Sequence, residues 1–198
     1  MKKFFISITL ATLCSSSFSL GVIRAVPPST NSEVELLIGY SAGVLNRFPG
    51  LSCPKNFIIP LLSDVPKSVF STGGRLSKFL PMSTSLHNEY SRRLGLAQQN
   101  KTCNVGNSDY MLSVDGLLTM FGGTEQNILF ARGFVMSAHD MRVLSQCSEN
   151  SPVEDIDKFF TEVMNGLLLA KRNNNGGAPA NQVLEALFST MNVNYKCI

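Results

Sequence analysis

The sequence predicts an all-α protein made of two homologous helical units, each stapled by one disulfide. Three observations carry this reading. Cys53 and Cys103 lie 50 positions apart, and so do Cys147 and Cys197. Sliding the chain by 94 positions lays Gly39-Tyr40 on Gly133-Phe134, Cys53 on Cys147 and Cys103 on Cys197 without a gap. The same shift brings apolar positions into phase: Ile59 falls on Val153, Leu62 on Ile156, Val65 on Phe159, Val69 on Val163 and Phe70 on Met164. Two cysteine pairs could share a spacing by accident, but a preserved helical phase between them is what a repeated structural unit needs.

Each element has its own local signal. Residues 1–19 read as a secretory signal: Lys2 and Lys3 form the charged start, Phe4 to Leu13 the apolar core, and Ser17 and Ser19 supply small residues before a cut at Leu20. Residues 20–31 form an extended leader with two prolines. The first unit spans 32–103. Its first helix starts at Ser32, where Ser32 and Glu35 form an S-x-x-E capping box, and runs to Phe48 before Pro49-Gly50. A second helix covers about Leu61 to Phe70, started or interrupted by Pro60 and Pro66 and closed by Gly73-Gly74. A third, about Leu86 to Gln98, carries Leu86, Tyr90, Leu94 and Ala97 on one stripe.

Residues 104–123 are a linker with a short helix within Tyr110 to Met120, and Gly122-Gly123 marks the entry to the second unit, 124–198. There the first helix runs from about Glu125 to Leu144. The second runs from about Pro152 to Arg172, opened by Ser151 and Glu154 as another capping box, with Pro152 at the first helical position. Its expected buried face is Ile156, Phe159, Phe160, Val163, Met164, Leu167 and Leu168. After a polar turn, the last helix covers about Pro179 to Met191. Strand signals are weak throughout.

Composition bounds the function. The apolar run at the N-terminus is about ten residues where a membrane span needs roughly twenty, and no later segment reaches that length. Cys14 could suggest a lipid anchor, but the bulky Leu13 before it argues against one. The whole chain holds 17 basic and 14 acidic residues; removing 1–19 takes away two lysines and no acid. The mature chain is therefore nearly neutral and without a basic cluster, which excludes an electrostatic case for nucleic acid. In an oxidising compartment the four later cysteines are expected to be bridged, and the repeat favours Cys53–Cys103 and Cys147–Cys197. A bridge closing about 50 residues contributes at most roughly 4 kcal/mol. A metal site is disfavoured, because ligand cysteines come as close pairs and these do not.

Motifs that suggest chemistry have simpler explanations. Gly39-Tyr40-Ser41-Ala42-Gly43 matches the G-x-S-x-G nucleophile elbow of α/β-hydrolases. Too few mature residues precede Ser41 to build the flanking strands, and its repeat counterpart is Val135. Small residues at helical spacing, admitting close approach of another helix or of the bridge region, account for the motif. His139-Asp140 are neighbours on a helix and point about 100° apart, so they form no aligned catalytic dyad. His139 and His87, the chain's two histidines, are expected to be exposed. Glu154, Asp155 and Asp157 gather where acids oppose a helix dipole, and Lys171-Arg172 sit at a helix C-terminus where cations are expected. Arg92-Arg93 with Lys101 form a small basic edge, and Asn100-Lys101-Thr102 is a glycosylation sequon. No residue is assigned a catalytic or metal-binding role, and no cofactor is expected.

The layout Gly-aromatic-x-x-Gly-Val-Leu on a helix, then Cys-Pro, an amphipathic helix, and a helix ending in cysteine resembles the Rap1a/Tai family of small exported immunity proteins. Its carriers are Gly39, Tyr40, Gly43, Val44, Leu45, Cys53, Pro54 and Cys103; the second unit keeps Gly133, Phe134, Cys147, Pro152 and Cys197, with Ser137 in place of the second glycine. The chain departs from the usual single-unit pattern by being tandem. The resemblance implies a helical, disulfide-stapled fold and a periplasmic or secreted binder of a toxic effector delivered by a type VI secretion system. The other functional classes to weigh are an acid-protective periplasmic chaperone of the HdeA type and a structural or host-interaction protein that reuses the scaffold. The ordinary charge swing of 14 acids and two histidines disfavours the chaperone.

Overall fold

A computed structural model describes residues 30–48, 50–72, 82–106, 111–146 and 156–191. Among the described residues the protein is mainly all-α, with seven α-helices and one two-stranded ribbon. Helix α1 is Asn31–Leu45, α2 Lys55–Thr72, α3 Met82–Gln99, α4 Val114–Phe121, α5 Glu125–Gln146, α6 Ile156–Ala170 and α7 Ala180–Thr190. The antiparallel ribbon pairs β1 (Leu51–Ser52) with β2 (Asn104–Val105), Leu51 opposite Val105. The signal segment 1–19, the Ser151/Glu154 capping box, Glu154, Asp155, Pro152, Cys14, Cys147 and Cys197 lie outside the described residues.

Several boundaries differ from the sequence reading. The capping box at α1 is Thr30 with Glu33, two residues earlier than Ser32 with Glu35: Thr30 takes the extended conformation a cap requires, and its Oγ1 accepts from the Glu33 N–H at 3.2 Å. The sequence offers both boxes, and the chain uses the first. Prolines 60 and 66 neither start nor interrupt α2, which runs through both. Each proline removes one helical hydrogen bond, but Ile58, Leu61, Val65 and Val69 on the same helix are buried, and that packing holds the segment helical. Helix α6 ends at Ala170 and leaves through a wide turn, Lys171–Asn175, where Asn174 takes φ 61°, a conformation asparagine tolerates.

The core is continuous across both halves of the chain. Its largest helix contact is α1 against α5. Helices α2 and α3 complete the packing around α1, α7 packs beside α5, and α6 packs on α7 and α4. The segment read as a linker is tied to the second half: Val114 N–H donates to Ala178 O at 3.0 Å, Ala180 N–H to Leu112 O at 2.7 Å, and α4 packs on α5, α6 and α7. On the other side, Cys53 and Cys103 are bonded to each other and buried. The ribbon immediately flanks this bridge. Leu86, Tyr90, Leu94 and Ala97 are all buried on α3, as their spacing predicts. Leu168 on α6 was expected inside and is 40% exposed; the buried stripe there is Phe159, Phe160, Val163 and Leu167.

Candidate functional site

Of the motif residues, Gly39, Tyr40, Gly43, Gly133 and Phe134 meet at the crossing of α1 and α5. A side chain at Gly39 would overlap the backbone carbonyl of Phe130, and one at Gly133 would overlap that of Leu36. The contact is reciprocal in the 94-residue register, since Leu36 and Phe130 are themselves 94 positions apart. Gly43 meets Ser137, its own counterpart, whose Oγ takes the space a Cβ would need. Gly39, Gly43, Gly133 and Ser137 therefore form a small-residue seam that lets two helix backbones touch. This closeness accounts for the G-x-S-x-G pattern: its glycines admit a helix.

Bulky motif residues flank the seam. Tyr40 and Phe134 are fully buried. The Tyr40 hydroxyl donates to Asp140 Oδ2 at 2.6 Å, joining α1 to α5. Burial, followed by the charge of Asp140, pushes the Tyr40 phenol well above its ordinary range, with the neighbouring Ser83 hydroxyl pulling the other way. The other Asp140 oxygen lies 3.5 Å from His139 Nδ1, an electrostatic contact rather than a directed hydrogen bond. Ser41 is also buried, and its hydroxyl meets that of Tyr90 on α3. Burial holds Tyr90 above its ordinary value, against the lowering influence of Ser41.

His139 corrects an expectation: it is 0% exposed. Its ring stands edge-on to Phe159 at 5.2 Å and Phe188 at 5.5 Å, and these two phenyl rings stack on each other at 5.8 Å. The 94-residue register held the missed signal, because it places His139 on Leu45, a position in the apolar stripe of α1. His87 is half-buried rather than exposed, stacked on Phe48 at 4.8 Å. Burial, then the charge of Arg47, lowers its pKa from 6.5.

Asn46, a residue the motif reading passed over, ties the halves together at the end of α1. Its Nδ2 donates to Ala42 O at 2.9 Å and its Oδ1 accepts from Leu112 N–H at 2.9 Å, while Asn181 Nδ2 donates to the Asn46 carbonyl at 3.0 Å. Pro54 starts α2, its carbonyl accepting from Phe57 and Ile58. At the surface, the basic edge is internally compensated: Arg92 and Arg93 both bind Glu89, at 2.7 Å each, and the guanidinium of Arg92 leads in holding Glu89 down to about 2. Lys171 pairs with Asp115 at 2.8 Å, and Arg47 with Glu185 at 2.9 Å.

The arrangement is thus a helix crossing whose polar side chains are sealed within it: Tyr40, Ser41, Ser83, Tyr90, His139 and Asp140 are all buried. Fold and site together define a mainly α-helical protein carrying a disulfide and a tight internal helix seam. No described helix is long and apolar enough to cross a membrane. No protein-family model, curated protein or solved structure matches the chain.

Proposed function

We propose that this protein is an exported, non-enzymatic protein-binding module built from two related helical halves, and that it neutralises a toxic effector as the resemblance to Rap1a/Tai immunity proteins implies. The observation that carries the reading is where the motif residues go. Gly39, Tyr40, Gly43, Gly133 and Phe134 meet at the seam. The groups that could attack or activate a substrate there are buried against tyrosine, phenylalanine and aspartate side chains. What remains for another molecule is surface, and that surface includes well-exposed apolar side chains: Ile59, Val105 and Leu169. The Cys53–Cys103 bond supports export to an oxidising compartment.

The test is affinity capture with the tagged, oxidised protein from the envelope fraction of its own organism, in moderate salt, followed by mass spectrometry. One stoichiometric partner whose enzymatic activity falls on binding is the expected result. A broad set of clients held only after acidification would replace this reading with the HdeA-type chaperone, and an empty column would leave the structural or host-interaction role.

A further inference from the structure

The helix pairs of the two halves differ in what covers them. In the second half α4 lies on α5 and α6, with Val114 and Leu117 fully buried. The ring of Phe121 at its end meets Phe160 at 6.5 Å, and the Arg132 guanidinium lies over the same Phe160 ring at 5.1 Å. Moving back 94 positions turns Phe160 into Pro66 and Arg132 into Ile38. Pro66 and Ile38, with Leu62 and Phe70, line an apolar groove of about 110 Å³ between α1 and α2, and Val34 at its edge is 38% exposed. The face that α4 covers in one half is open among the described residues of the other.

The register continues to the last described residue before that groove. Thr30 and Thr124 are 94 apart and take the same role: Glu33 N–H donates to Thr30 Oγ1 and Asn127 N–H to Thr124 Oγ1, while the carbonyls accept from Val34 and Ile128 at 3.1 and 3.0 Å. The counterpart of α4 is therefore residues 20–27, at the same distance before its threonine. Leu20 and Ile23 stand at the positions of the buried Val114 and Leu117; Val26 stands at that of Met120.

We propose that the α1/α2 groove is the docking site of residues 20–27 of this chain, a segment outside the described residues, in the place α4 holds on the second half. The predicted signal cut before Leu20 would leave that segment on the mature chain. A trimmed mature chain would expose the groove to other apolar segments.

The test uses the full chain recovered from its export route, its N-terminus read by mass spectrometry, with a photo-crosslinking benzoylphenylalanine in place of Phe70. The expected product is an intramolecular crosslink to residues 20–27 whose yield does not change with protein concentration. It should be lost in Ile23→Lys, because an ammonium does not enter an apolar groove unpaired and Lys67, which also lines this one, would repel it. The same probe in place of Phe160 should crosslink to α4 and serves as the positive control. A crosslink only to a second copy or to another protein, no crosslink while the control succeeds, or an exported chain that begins beyond residue 27 would overturn the proposal.

Discussion

Positions 94 residues apart in the two halves of this protein are buried alike and differ in chemistry. In the first half Ser41 and Tyr90 pair their hydroxyls inside the core; at the matching positions stand Val135 and Leu184, equally buried and purely apolar. Leu45, Val65 and Leu94 form an aliphatic set, where the second half has His139, Phe159 and Phe188. Tyr40 reaches Asp140, whereas the mirror positions are Phe134 and Asn46, and Asn46 turns its amide to the backbone instead. Burial is retained at each of these positions while polarity moves from one half to the other. The comparison teaches that Gly39 and Gly133 are kept in both halves because each faces a backbone carbonyl that leaves no room for a Cβ, whereas Gly43 faces a side chain and its counterpart is Ser137. The residues around them vary wherever a hydrogen-bond partner can vary too.

The largest effect is expected at the seam. Gly39→Ala and Gly133→Ala each drive a methyl into the facing backbone carbonyl, and both should cost about 3 kcal/mol or more in chemical denaturation. Gly43→Ala collides first with the Ser137 side chain, so Ser137→Gly should rescue part of that variant but neither of the others. Unequal costs for Gly39→Ala and Gly133→Ala would break the reciprocity. Next in size, Cys53→Ala should lower stability by about 2 to 4 kcal/mol through loss of the loop constraint, and an unchanged non-reducing melting curve would remove the bridge from the comparison.

Tyr40→Phe makes the first half copy the second at one position. It should cost about 2 kcal/mol, the scale of a buried hydrogen bond to a charged group. Adding Asp140→Asn completes the copy and should recover part of the loss, a coupling that a double-mutant cycle reads directly. The smallest effect belongs to the surface. The Arg92 and Arg93 guanidiniums depress Glu89 from 4.5 to about 2, so its contribution is complete above pH 4.5 and disappears as the pH falls through about 2. Because Arg92 is well exposed and its pair with Glu89 is screened, Glu89→Gln should lower the melting temperature slightly at pH 7 and much less near pH 2. An equal change at both would show that the ion pairs act through packing alone.

Much of this was legible in the chain. Periodic stripes such as Leu86, Tyr90, Leu94 and Ala97 located helices because a helix repeats its face over short distances. The repeated cysteine spacing predicts the Cys53–Cys103 bridge, and the small residues Gly39 and Gly43 predict close approach of another helix or of the bridge region, of which the structure shows the helix. Single-position burial was harder. Polarity predicts an exposed His139 and apolarity a buried Leu168, yet each takes the opposite place. The missing N–H groups of Pro60 and Pro66 predict a helix that starts or is interrupted there, and local pattern does not show the packing that carries α2 through both.

The sequence by itself determined the helical class, the positions of most helices and the register that relates Gly39 to Gly133. Only the tertiary structure decided which polar side chains enter the core. A polar group can be buried when its partner arrives with it, and Asp140 receives that partner from Tyr40, a hundred positions away on another helix. Local pattern reports how a segment repeats along its own axis; it does not report what the facing helix brings to meet it.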